Sequence, residues 1–180
     1  MGRLLDVSLY NPIEGEQCFL DANIWLYLFC PIGNYKKDVV NKYNKFFLKL
    51  KLKKARIYTS LMVLSEFFNA YLRIEFKILQ TSDPIKYKDF KKDYRQTSDY
   101  EVMAKQVCDL MKNTIIKSSI RLDDGFSKLN IDEILDYGTG FDFNDNCYAA
   151  ICRPHKIKIV TNDKDFLYNF KDIDVVTYWN

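Results

Sequence analysis

Five acidic residues stand where a catalyst would use them. Asp21 follows the apolar triplet Cys18-Phe19-Leu20 and precedes Ile24-Trp25. Glu66 interrupts the apolar stretch between Leu64 and Phe68. Asp142 and Asp145 come just before Cys147-Tyr148-Ala149-Ala150-Ile151, and Asp163 follows Ile159-Val160-Thr161-Asn162. Carboxylates brought together repel one another: two unit charges 4 Å apart cost about 4 kcal/mol at an effective dielectric near 20. A group of them stays ionised most readily around a cation, and hard oxygen ligands suit Mg²⁺ or Mn²⁺. Each acid also has an ordinary reading. Asp142 fits a helix N-cap with Asp145 at the third helical position, Asp163 fits a turn, and Glu66 fits a solvent-facing helix position. Asp21 resists such a reading, because the residues around it belong in a core and an unpaired buried charge is costly.

Convergence depends on the elements that carry these acids. The sequence predicts a buried strand at 18–20 running into a short helix stopped by Pro31 and Gly33. Val39, Val40, Tyr43, Phe46, Phe47 and Leu50 recur at helical steps and predict an amphipathic helix over 35–53 with lysines on its far side. A strand at 56–59 follows, then a helix capped by Ser60 and running to about Leu79. Residues 81–98, rich in Lys, Asp and Tyr without a clear period, read as an exposed excursion and an insertion. Helix is expected over 98–117, a weak strand at 119–122, a short helix at 127–135, a hinge at Gly138 and Gly140, and a helix opened by Asp142 that ends near Pro154. Strands at 157–160 and 174–178 close the chain. Alternation of strands and helices implies parallel pairing through right-handed crossovers, hence an α/β fold: a three-layer α/β/α sandwich with a central, mostly parallel sheet. In such sheets ligands bind at the carboxyl ends of the strands, which puts Asp21 and Asp163 on one rim with Glu66 and Asp145 on helices leaving it.

Composition narrows the field. The chain has 180 residues, 48% of them hydrophobic, which suits one domain over 1–180 with a core spanning about 18–178. No apolar run reaches the roughly 20 residues of a membrane-spanning helix, and a cytoplasmic setting is expected. The net charge of +3 permits a nucleic-acid partner without demanding one, and five scattered cysteines fit buried thiols better than a disulfide framework. Cys147, Cys152 and His155 are close in sequence, yet two helical residues five apart point away from each other, which disfavours a zinc site. The single histidine excludes a paired-histidine ribonuclease mechanism, and neither a P-loop nor a G-x-S-x-G elbow is present. Lysines crowd 36–56, and Lys86, Lys88, Lys91, Lys92 and Arg95 lie among Tyr87, Phe90 and Tyr94. Both segments read equally as RNA-binding surface or as solvated polar faces.

Taken in order, Phe19-Leu20-Asp21-Ala22-Asn23-Ile24, Thr59-Ser60 through Ser65-Glu66-Phe67, Asp142-Phe143-Asn144-Asp145, and Ile159-Val160-Thr161-Asn162-Asp163-Lys164-Asp165-Phe166 resemble a PIN domain, closest to the VapC-like toxin ribonucleases. The resemblance implies catalytic acids at Asp21, Glu66, Asp145 and Asp163, with Asp142 as an accessory. It implies metal binding by Asp21, Asp145 and Asp163, and polar support from Asn23 and Thr161. The implied activity is Mg²⁺- or Mn²⁺-dependent hydrolysis of RNA phosphodiesters, leaving a 5′-phosphate and a 3′-hydroxyl. A toxin of this kind would have an antitoxin partner and form a homodimer. A housekeeping RNA-processing nuclease, or a PIN-like module that binds RNA or a partner without catalysis, stays open beside it.

Overall fold

Short runs of β-branched and aromatic residues form strands when neighbours on both sides satisfy their backbone groups. The structure, a computed structural model, describes residues 2–135, 142–166 and 172–178. It contains β1 (Leu4–Asp6), β2 (Gln17–Leu20), β3 (Arg56–Thr59), β4 (Ile120–Arg121), β5 (Lys158–Val160) and β6 (Val175–Thr177). All pair in parallel, in the order β1-β6-β5-β2-β3-β4. Phe19 in β2 is in register with Tyr58 on one side and Ile159 on the other. From β2 the chain winds outward through β3 to β4, then returns to the opposite side of β2 through β5 and β6. The crevice between β2 and β5 is therefore where the winding reverses, the position at which parallel sheets accept ligands.

Helices cover both faces and complete the expected three-layer sandwich. They are α1 (Ala22–Phe29), α2 (Lys37–Leu52), α3 (Leu61–Ser82), α4 (Ser98–Met111), α5 (Ile131–Ile134) and α6 (Phe143–Cys152). Polar side chains start most of them. Asp21, Ser60, Thr97, Asn130 and Asp142 each accept a hydrogen bond from a backbone N–H of the helix that follows, a cap worth ~1 kcal/mol apiece. Phe19, Trp25, Tyr43, Phe67, Tyr148, Ile159 and Val175 meet in one core, with α1 packed on α2 and α3, and α3 on α4.

Three features depart from the sequence reading. The edge strand β1 was not expected. Helix α3 extends to Ser82 rather than ending near Leu79. The segment 81–98 is exposed over most of its length and partly helical, but it is anchored: Asp89 starts a π-helical turn at Phe90–Tyr94, and Tyr87 and Tyr94 are buried against Phe76 on α3. Those two rings are core, so they offer no platform for stacking bases. The basic stretch is also partly spent internally: Lys42 pairs with Asp38 at 2.7 Å and lies over the Tyr178 ring, while Lys49 donates to the Tyr10 carbonyl. The Gly138 and Gly140 hinge lies outside the described residues.

Candidate metal centre

Asp21 is the first residue past β2, and the fold requires it to cap α1 while almost wholly buried, at 4% exposure. Its Oδ1 accepts from the Ala22 N–H at 2.5 Å. Its Oδ2 accepts from Asn23 Nδ2 at 2.5 Å and from Thr161 Oγ1 at 2.7 Å. Asn23 and Thr161 are also joined, with Asn23 Nδ2 donating to Thr161 Oγ1 at 3.0 Å. The ends of β2 and β5 are thus stitched together around one carboxylate. Burial, with smaller contributions from the charges of Glu66 and Asp163, pushes the Asp21 carboxyl up to about 7 despite these donors.

Asp145 comes from the first turn of α6, a helix opened by Asp142, whose Oδ1 accepts from the Asn144 N–H at 3.0 Å. Asp142 itself is exposed and does the work of a cap. Asp145 is buried, and its Oδ2 has no hydrogen-bond partner. Burial raises its carboxyl to about 8, helped by Asp21, Asp163, Asp142 and Asp165, so it feels the negative field of the whole rim. Carboxylate oxygens of Asp145, Asp163 and Asp165 all lie within 4.8 Å of one another. Among the described residues no lysine or arginine makes an ion pair with any of these acids.

Glu66 projects from the second turn of α3 and is half-buried. Tyr148 Oη donates to its Oε2 at 2.8 Å, and Asn144 Nδ2 donates to the same oxygen at 3.3 Å. Both bonds go to one oxygen, which fixes the carboxylate and leaves Oε1 directed elsewhere.

The structure therefore brings Asp21, Glu66, Asp145 and Asp163 to one rim, with Asn23 and Thr161 on Asp21. The tightest group differs from the expected one in a single member. Asp165 rather than Asp21 completes that group, while the Asp21 oxygens accept from Ala22, Asn23 and Thr161 beside it. Asp165 carries no role in the sequence reading beyond its place in the segment 159–166, and its spacing two residues after Asp163 is the available signal: its N–H donates to Asp163 Oδ1 at 3.0 Å. Tyr43 was read only as an apolar position of α2. Its hydroxyl reaches the Thr161 carbonyl at 2.9 Å and Asn162 Oδ1 at 3.0 Å, and accepts from the Tyr178 N–H at 3.0 Å. An all-oxygen donor set, a buried carboxylate oxygen without a partner and the lack of an ion pair among the described residues fit a hard divalent cation.

Family comparison agrees with this geometry. The profile of the PIN domain matches residues 18–173. The chain belongs to the PIN domain family. PIN domains are generally nucleases and generally use divalent metal ions. Among solved structures, this PIN domain is similar to VapBC2 from Rickettsia felis, bound to a DNA fragment from their promoter. The TM-score is 0.52 at 16% identity, over 91% of this chain and 98% of that one. It is also similar to FitAB bound to the IR36 DNA fragment, with TM-score 0.51, 15% identity and coverage of 91% and 96%. FitAcB from Neisseria gonorrhoeae gives TM-score 0.50 at 15% identity, covering 89% of this chain and 96% of that one. At these identities the likeness is one of fold. No curated protein matches the chain.

Proposed function

We propose that this PIN domain is a Mg²⁺- or Mn²⁺-dependent endoribonuclease. The observation that carries the reading is the buried, unpartnered Oδ2 of Asp145 in a rim of acids that forms no ion pair among the described residues. Asp145, Asp163 and Asp165, with Asp21 beside them, would hold the ion. When bound, it supplies Lewis-acid polarisation of the phosphoryl group and offsets the charge of the cluster. The protein supplies orientation. Asn23 and Thr161 lock the Asp21 carboxylate, and Tyr148 and Asn144 lock Glu66 so that Oε1 can orient and accept a proton from the attacking water. Asp142 acts on the site through the position and charge of α6.

The same proposal extends to a toxin role, with an antitoxin protein covering the acidic rim and the chain acting as a homodimer. Similarity in fold to VapBC2 and FitAB supports that extension. The direct test is cleavage of a broad panel of RNAs by the purified protein with Mg²⁺ or Mn²⁺. Wild type is expected to cut, and Asp21→Asn to lose cleavage while remaining folded by circular dichroism. Equal behaviour of the two proteins on the whole panel contradicts the enzyme. Growth arrest on expression, relieved by a small co-expressed partner, is the outcome expected of a toxin.

A further inference from the structure

The exposed face of α3 beyond Glu66 has no role in the scheme above. Met62, Ser65, Glu66, Asn69, Ala70 and Arg73 lie along it at helical spacing and, with Asn144 of α6, line an open groove of about 420 Å³. One end of the groove is a site acid. Towards the other end is Arg73, seven residues on, which at 1.5 Å per residue is roughly 10 Å along the helix. That distance exceeds a single phosphodiester and suits a neighbouring nucleotide.

Arg73 is exposed and forms no ion pair among the described residues. It is nevertheless held. Its guanidinium lies 5.0 Å from the centroid of the Phe90 ring. Phe90 is fixed in turn, edge-on to Phe76 at 5.4 Å and packed against Tyr94 at 5.6 Å and Tyr100 at 6.3 Å. The ring backs the cation on one side and leaves guanidinium N–H groups available, which suits contact with phosphate. Two amide groups in the groove are engaged within the protein: Asn69 Nδ2 is tied back to the Ser65 carbonyl at 2.8 Å, and Asn144 Nδ2 donates to Glu66 Oε2 at 3.3 Å. Lys77, exposed one turn further along α3, continues the positive stripe.

The geometry points to this groove as the path of the substrate strand, with Arg73 binding a backbone phosphate of a nucleotide flanking the cleaved one and the anchored segment 81–98 serving to hold Arg73 in place. The strand's identity as single-stranded RNA rests on the ribonuclease reading. The groove's role in binding does not.

Two measurements on the full chain test it: the Kd of a labelled, mixed-sequence single-stranded RNA by fluorescence anisotropy in EDTA, titrated with salt, and KM for cleavage with Mn²⁺. Arg73→Ala is expected to weaken Kd and KM about tenfold, the loss of a charge-assisted pair. It should also lower the slope of log K against log salt by about 0.7, one phosphate's worth for a single strand. Arg73→Lys should recover part of the affinity. Phe90→Leu should fall between wild type and Arg73→Ala, because the cation remains but its platform does not. A purely structural Arg73 would shift the thermal midpoint without moving the salt slope. Unchanged Kd and salt slope in Arg73→Ala overturn the groove whether or not the wild type cleaves. Weaker binding of an acidic peptide with RNA binding intact overturns it too. If Arg73→Ala weakens RNA binding while wild type cuts nothing, the groove stands and the nuclease reading falls.

Discussion

The two ends of the sheet bury carboxylates equally well and treat them in opposite ways. At the amino ends of the strands, Glu16 is 6% exposed, and at the carboxyl ends Asp21 and Asp145 are 4% and 6% exposed. Burial alone would push Glu16 up, yet its carboxyl is held below the usual range by Lys158 at 2.5 Å, the Tyr10 hydroxyl at 2.6 Å and the Ile13 N–H. Asp174 beside it is lowered by Arg3, with Lys158 helping. Asp21 and Asp145, which form no ion pair among the described residues, are raised to about 7 and about 8. Burial is common to both ends, so the partner decides the sign. One end is an internally neutralised clasp joining β1, β2, β5 and β6. The other is left to be neutralised from outside.

The contrast can be attacked from either end. The largest effect should come from Asp145→Asn, which is expected to cut kcat at least 100-fold in the RNA assay, consistent with losing a ligand of the metal that polarises the phosphoryl group. The same change should raise metal-free stability at pH 8 by ~1–2 kcal/mol in denaturant titration, because it removes repulsion at the rim. At the clasp the sign reverses. Lys158→Met leaves Glu16 buried without its cation and should cost about 3 kcal/mol of stability at neutral pH by the same titration.

pH separates the two ends within one molecule. Asp21 and Asp145 bind protons more tightly folded than unfolded, so their contribution is most favourable near pH 4 or below, at the unfolded carboxylate value of about 4, and is lost as pH rises through about 7 and about 8. Glu16 and Asp174 do the opposite: their contribution is present above the unfolded carboxylate value and lost as pH falls through their lowered values. Thermal midpoints in EDTA should therefore fall on both sides of a maximum between them, with the alkaline limb flattened in Asp145→Asn. The smallest expected effect is that of Tyr43→Phe, about 1 kcal/mol in denaturant titration, from loss of the buried hydroxyl that ties the Thr161–Asn162 turn to Tyr178.

Most of the rim was legible because position along a strand is a local property. Asp21 at the end of Cys18-Phe19-Leu20 and Asp163 beyond Ile159-Val160 need only parallel pairing to face the same crevice, and Glu66 was conspicuous among apolar neighbours. What was not legible depends on partners distant in sequence. Glu16 carries no local signal, because its partner Lys158 is far away in sequence. The three residues of β1 are too few to show a period, and they form a strand only because β6 is there to pair with them. Tyr87 and Tyr94 looked like exposed aromatics among lysines, and only the length of α3 gives them a surface to cover. Asp165 was hidden by its own turn, where a carboxylate is ordinary.

Whether the carboxyl rim belongs to a divalent cation is decided by isothermal titration of metal-free protein with Mn²⁺ at pH 8. Wild type should bind with proton release, since Asp21 and Asp145 titrate near that pH, and its thermal midpoint should rise by the equivalent of about 2.7 kcal/mol at one hundred times Kd. Asp145→Asn should lose both signals. Binding of equal strength and stoichiometry in the two proteins, or none in the wild type, would contradict the claim.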